Sequence, residues 1–147
     1  MSATPPVRVL IPGRPIAKGS LRVGRSGQVF SVNPGLKAWQ ERVALAVSAE
    51  LDGAAPHTCP VALTVTFTFQ RPPSHFTKSG RLRKGAALAP GRPDLDKLLR
   101  ALLDGLTGVL FRDDAQVSEL DAVKTYGDNP GVTLAVTLPD YSAELER

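Results

Sequence analysis

The chain reads as an α+β two-layer domain: a mixed, mostly antiparallel sheet covered by two helices. Three features predict this. Residues 61–69 alternate apolar and small polar side chains, as a strand with one buried face does. Two stretches, at 34–53 and 97–107, place apolar residues at helical spacing. Strand-like stretches at 7–11, 117–126 and 132–138 lie around them, and 147 residues suit one domain, 1–147, with a modest core.

In the first strand, Val7, Val9 and Ile11 alternate with Arg8 and Leu10, and Pro12, Gly13 and Pro15 end it. Arg14, Lys18, Arg22 and Arg25 follow in a Gly- and Ser-containing stretch, expected to form a hairpin with residues 28–32. These four cations are either solvated surface or phosphate contacts. Asn33 before Pro34 predicts a helix start, with Asn33 as N-cap. Leu36, Trp39, Val43, Val47 and Leu51 then trace one face down to Gly53, and Trp39, in register with them, reads as core.

The strand at 61–69 turns Val61, Leu63, Val65, Phe67 and Phe69 one way and Ala62, Thr64, Thr66 and Thr68 the other. Residues 71–92 form a basic loop, carrying Arg71, Lys78, Arg81, Arg83, Lys84 and Arg92 among several Pro and Gly. A loop of that length inside a compact domain is functional or disordered, and a flexible cationic arm that orders on DNA is the expectation. Gly127-Asp128-Asn129-Pro130-Gly131 joins the last two strands as a turn.

Charge narrows the function. The net charge is +4, which leans toward a polyanionic partner, yet seven of the 14 acidic residues fall between Asp94 and Asp121. The single Cys59 excludes an internal disulfide framework and fits a reducing cytosol. The sequence shows no signal peptide or membrane-spanning run, so a cytoplasmic protein is expected. One Cys with His57 and His75 lacks the paired spacing of a zinc site, and no nucleophile signature is present.

Pro93 favours extended backbone around it, so Asp94 and Asp96 are expected on an extended segment, pointing the same way with Leu95 turned to the core. Asp96 would then cap a helix over 97–107, whose Leu98, Leu99, Leu102, Leu103 and Leu106 form an apolar face. Asp96, Arg100 and Asp104 share a stripe at four-residue steps. Asp113 and Asp114 return from the far end of that helix. Gathered together, these acids would make an oxygen-ligand cage for Mg²⁺, with Mn²⁺ expected to substitute.

The run Arg92-Pro93-Asp94-Leu95-Asp96-Lys97-Leu98-Leu99-Arg100, followed by Asp113-Asp114-Ala115-Gln116-Val117, resembles the RusA family of Holliday-junction resolvases. A weaker likeness lies at Ile11-Pro12-Gly13-Arg14-Pro15 and Lys18-Gly19. The resemblance implies a homodimeric, Mg²⁺-dependent endodeoxyribonuclease of a bacterium or phage that cuts branched DNA, the four-way junction above all. It places the catalytic carboxylates at Asp94, Asp96 and Asp114, with Asp113 as a further metal ligand. The family's basic residue one turn after the second Asp is usually Lys and here is Arg100, which keeps a phosphate-clamping role but cannot give up a proton. Arg14, Lys18, Arg22, Lys78, Arg81, Arg83, Lys84, Arg92 and Lys97 are the expected DNA contacts. A nuclease for flaps or forks, and a catalytically silent junction-binding protein, are the alternatives.

Overall fold

The computed structural model describes residues 5–19, 21–31 and 33–145. Among them the strands and α-helices follow in order: β1 (Val7–Pro12), β2 (Leu21–Val23), β3 (Val29–Ser31), α1 (Leu36–Glu50), β4 (Val61–Phe69), α2 (Leu95–Leu106), β5 (Val117–Tyr126), β6 (Gly131–Thr137) and α3 (Ser142–Leu145). β1, β6, β4 and β5 form one sheet in that spatial order. β1 with β6 and β6 with β4 are antiparallel, whereas β4 and β5 run parallel. The predicted α+β class with a mixed sheet therefore holds. β2 and β3 pair as the expected hairpin, although Val32, expected within it, lies outside the described residues.

Parallel neighbours need a crossover, and α2 supplies it between β4 and β5. The connection from β5 to β6 then has to pass over the end of β4, because β6 lies on β4's other side. Gly127 makes that passage. Its N–H donates to the Phe69 carbonyl at 2.9 Å, and a Cβ there would stand 2.7 Å from the Thr68 methyl. The turn at 127–130 is thus a bridge over a strand end, not a hairpin.

The strand alternation is realised. Val61, Leu63, Val65, Phe67 and Phe69 are buried, together with Val9, Ile11, Val132, Leu134 and Val136. α1 adds Trp39, Val43 and Val47, and α2 adds Leu98, Ala101, Leu102 and Leu106. The two helices meet closely at Gly105, where a Cβ would come 3.2 Å from Val43 and 3.3 Å from the Gln40 carbonyl.

Both helix starts differ from expectation. α1 begins at Leu36 behind Gly35, whose φ of 83° is a left-handed conformation that Gly adopts without steric cost. Asn33 is consequently displaced from the cap, and its side-chain amide donates instead to the Ala17 carbonyl. α2 begins at Leu95, two residues early, with Asp94 in the N-cap position at φ −65° and ψ 140°. The Leu98 N–H donates to the Asp94 carbonyl at 3.1 Å, which opens the helical ladder there. Asp96 therefore lies in the first helical turn, neither capping the helix nor sharing an extended segment with Asp94.

Candidate active site and nucleic-acid interface

The carboxyl ends of β4 and β5 and the N-terminus of α2 come together at one edge of the sheet, the place where α/β arrangements tend to bind ligands. An open cleft of about 630 Å³ lies there, lined by Arg14, Asn33, Arg92, Asp94 and Lys97 among others. Three cations therefore surround Asp94, whose own carboxylate stands 3.6 Å from the Lys97 ammonium. The helix N-terminus adds partial positive charge, so the cleft is suited to phosphate apart from Asp94 itself. Asp96 and Arg100 stand just beyond it, 3.9 Å apart and both well exposed.

The backbone that carries Asp94 is held from β5. Lys124 donates through Nζ to the carbonyls of Gly91 at 2.6 Å and Pro93 at 3.0 Å, on either side of the cis Arg92–Pro93 bond. Register aligns Lys124 with Phe67 on the helix-covered face of the sheet. A lysine at an inward position, between Ala122 and Tyr126, was the signal that sequence reading passed over.

Asp113 and Asp114 lie elsewhere. They face an open pocket with Asp104, Thr107 and Arg112 at the C-terminal end of α2. A 12-residue helix separates them from Asp94, about 18 Å at 1.5 Å per residue. Their end of the chain is tied to the start of β4: Gln116 donates to the carbonyls of His57 at 2.8 Å and Cys59 at 2.9 Å. Asp113 accepts from the Ala115 N–H at 2.9 Å, while Gln116 accepts from the Asp113 N–H at 3.0 Å. This is a capping box on the short 3₁₀ turn Asp114–Gln116, a local structural use of residues expected to bind metal.

The four carboxylates consequently form no single cage within one chain, and among the described residues no group of three or more His, Cys, Asp or Glu is placed to hold a metal ion. A hydrated Mg²⁺ takes one or two carboxylates, with waters and substrate phosphate filling the rest.

The expected DNA contacts divide. Arg14, Arg92 and Lys97 line the cleft. Lys18 is engaged along α2 instead, its Nζ 2.8 Å from Asp104 and its N–H on the Lys97 carbonyl at 3.1 Å. Arg22 falls on β2. Lys78, Arg81, Arg83 and Lys84 are exposed on the excursion after β4, the segment expected as a flexible cationic arm, and hydrogen bonds shape it here. Phe76 and Leu82 bridge in antiparallel fashion, Arg83 donates to the Ser74 carbonyl at 3.1 Å, and Arg71 donates to the Ala87 carbonyl at 2.7 Å. Arg71 also lies over the Tyr126 ring at 4.4 Å, fixing the excursion to the end of β5.

Residues 12–137 match the family described as endodeoxyribonuclease RusA. The chain belongs to the RusA endodeoxyribonuclease family. The match covers the cleft, α2, the Asp-Asp-Ala-Gln turn and Lys124 alike. An uncharacterised protein of Bacillus subtilis, YqaN, is 25% identical over 134 residues, spanning 88% of this chain and 94% of the relative. RusA membership implies endodeoxyribonuclease activity and a metal dependence shared with the family's nucleases. Among the described residues, no helix is long and apolar enough to cross a membrane.

Proposed function

We propose that the protein is a Mg²⁺-dependent, structure-selective endodeoxyribonuclease that acts as a homodimer on four-way DNA junctions in the cytoplasm, hydrolysing paired phosphodiesters. The observation that carries this is Asp94 set among Arg14, Arg92 and Lys97 at the N-terminus of α2, in a chain of the RusA family. A phosphate bound by these cations would lie against the carboxylates of Asp94 and Asp96, which would hold the metal. A divalent ion there supplies positive charge at the scissile phosphate and lowers the pKa of water. Arg100, one turn further along and exposed, would pair with a phosphate oxygen as charge develops on it.

Asp113 and Asp114 call for a second copy. A two-fold axis crossing the middle of α2 would bring the C-terminal end of one copy's helix to the N-terminal end of the other's. The partner's Asp113 and Asp114 would then face Asp94 and Asp96, giving two equivalent sites per dimer. The separation of the two acidic pairs along one helix supports this arrangement. Two sites also match the two equivalent strands of a four-way junction.

The test is a cruciform extruded from a supercoiled plasmid, where one nick relaxes the DNA and destroys the junction. Paired incision within one binding event yields linear plasmid. Nicked circles alone, from a protein that sediments as a monomer, would replace this reading with a simpler nickase.

A further inference from the structure

Two more hollows follow from the cleft, the second sharing residues with it and the third sharing residues with the second. The second includes Arg14 and Arg92, both of the cleft, together with Gln70, Arg71 and Tyr126. The third, of about 380 Å³, takes in the same Gln70, Arg71 and Tyr126 and extends to Phe76, Leu82, Leu88 and Asp128. The three hollows thus adjoin in series, the first at Asp94, the second beside Arg92 and Arg71, and the third with an apolar lining. In the third, Leu88 is 93% exposed and Leu82 51% exposed. Both sit on the excursion that carries Lys78, Arg81, Arg83 and Lys84.

Resting on the reading of this protein as a junction nuclease, we propose that this apolar hollow captures an unpaired nucleobase at the branch point of the DNA. Arginines along the series suit a sugar–phosphate strand leading away from Asp94. The third hollow has what a splayed base needs: aromatic and aliphatic walls from Phe76, Tyr126, Leu82 and Leu88, with the polar residues Gln70 and Asp128 in the same lining. The walls are pre-set, since the Phe76–Leu82 bridge and Arg71 against Tyr126 and Ala87 hold both sides of the opening. Exposed leucines in a cationic loop match the way apolar wedges enter unstacked base steps. Drawing a base out costs less at a branch point, where stacking is interrupted, than inside a continuous duplex, so the pocket would favour branched DNA.

The experiment compares binding, without divalent ions, to a four-way junction with intact branch-point bases, the same junction with abasic branch points, and linear duplex. The wild type should bind the intact junction about tenfold or more tightly than the abasic one. In the Leu82→Ala/Leu88→Ala double variant, whose exposed side chains leave the core untouched, that preference should fall to about twofold or less with the melting temperature retained. Equal binding of intact and abasic junctions by the wild type, both above duplex, overturns the base pocket and leaves the nuclease reading standing. The same holds if the double variant keeps its preference, or if the substitutions alter sedimentation, which would show a second copy covering the pocket. A wild type that does not prefer either junction to duplex removes both.

Discussion

Lys124 on β5 donates to the Pro93 carbonyl at 3.0 Å, one residue before Asp94, and thereby couples the sheet to the start of α2. The same ammonium bonds Gly91 at 2.6 Å, so two loop carbonyls depend on one side chain. Lys124→Met should leave both without this donor, at a cost of about 1–3 kcal/mol in urea denaturation. Cleavage should need more Mg²⁺ for half-maximal rate, because Asp94 loses its fixed position. Lys124→Met that is less stable yet keeps the wild-type Mg²⁺ dependence would make Lys124 a purely structural residue.

At the far end of α2, the cap and the charge of Asp113 can be separated. Asp113→Ala removes the acceptor for the Ala115 N–H and should cost about 1 kcal/mol. Asp113→Asn retains a good capping group, so its melting temperature should stay near that of the wild type. A loss of cleavage by Asp113→Asn at unchanged stability would assign its charge to the reaction.

Mixed dimers decide whether the two acidic pairs meet across subunits. Asp94→Asn and Asp114→Asn should each be inactive alone. Combined as a heterodimer, they should regain one wild-type site, because each subunit supplies the carboxylate its partner lacks. Nicked plasmid from the mixture is the expected product. If the mixture stays inactive while the heterodimer forms, each site belongs to one chain.

Much of this was legible in the sequence, for identifiable reasons. β4 was predicted over its full span because strict alternation has a single solution when one face is buried, and the face bearing Trp39 and Val43 followed from the helical period. The helix starts were misplaced because backbone choices decided them: Gly35 adopts a left-handed conformation, and the chain turns helical directly after Asp94. That the two acidic pairs lie at opposite ends of α2 was not legible, because spacing along a chain says nothing of the roughly 18 Å that a 12-residue helix inserts. The bonds made by Lys124 and Gln116 were not legible because their partners are backbone carbonyls 31–33 and 57–59 residues away.

The exposed position of Arg100 separates two roles. Its 3.9 Å pairing with Asp96 is worth at most about 0.5 kcal/mol as a helix ion pair, so stability should barely respond to Arg100→Ala. Cleavage should fall more than tenfold, with Arg100→Lys restoring a substantial part if charge alone is required. Equal and small losses for both would leave Arg100 as surface.

For the basic excursion, salt dependence is the readout. Arg83 uses its Nε–H on the Ser74 carbonyl and helps to hold the loop, so Lys78, Arg81 and Lys84 are the cations to neutralise without disturbing that bond. Neutralising those three should reduce the log–log salt slope of junction binding by up to about 3 units. An unchanged slope would show that the DNA does not reach this loop.

Cleavage of a synthetic four-way junction, beside linear duplex of the same sequence, tests the central claim most directly. With Mg²⁺ the wild type should introduce symmetric cuts near the branch point and leave the duplex intact. Without a divalent ion it should bind the junction and cut neither. Asp94→Asn should bind at least as tightly and remain inactive with Mg²⁺, since one negative charge facing phosphate is removed. Junction cleavage by Asp94→Asn at the wild-type rate, or cleavage that persists without any divalent ion, would contradict a metal-dependent site at the N-terminus of α2.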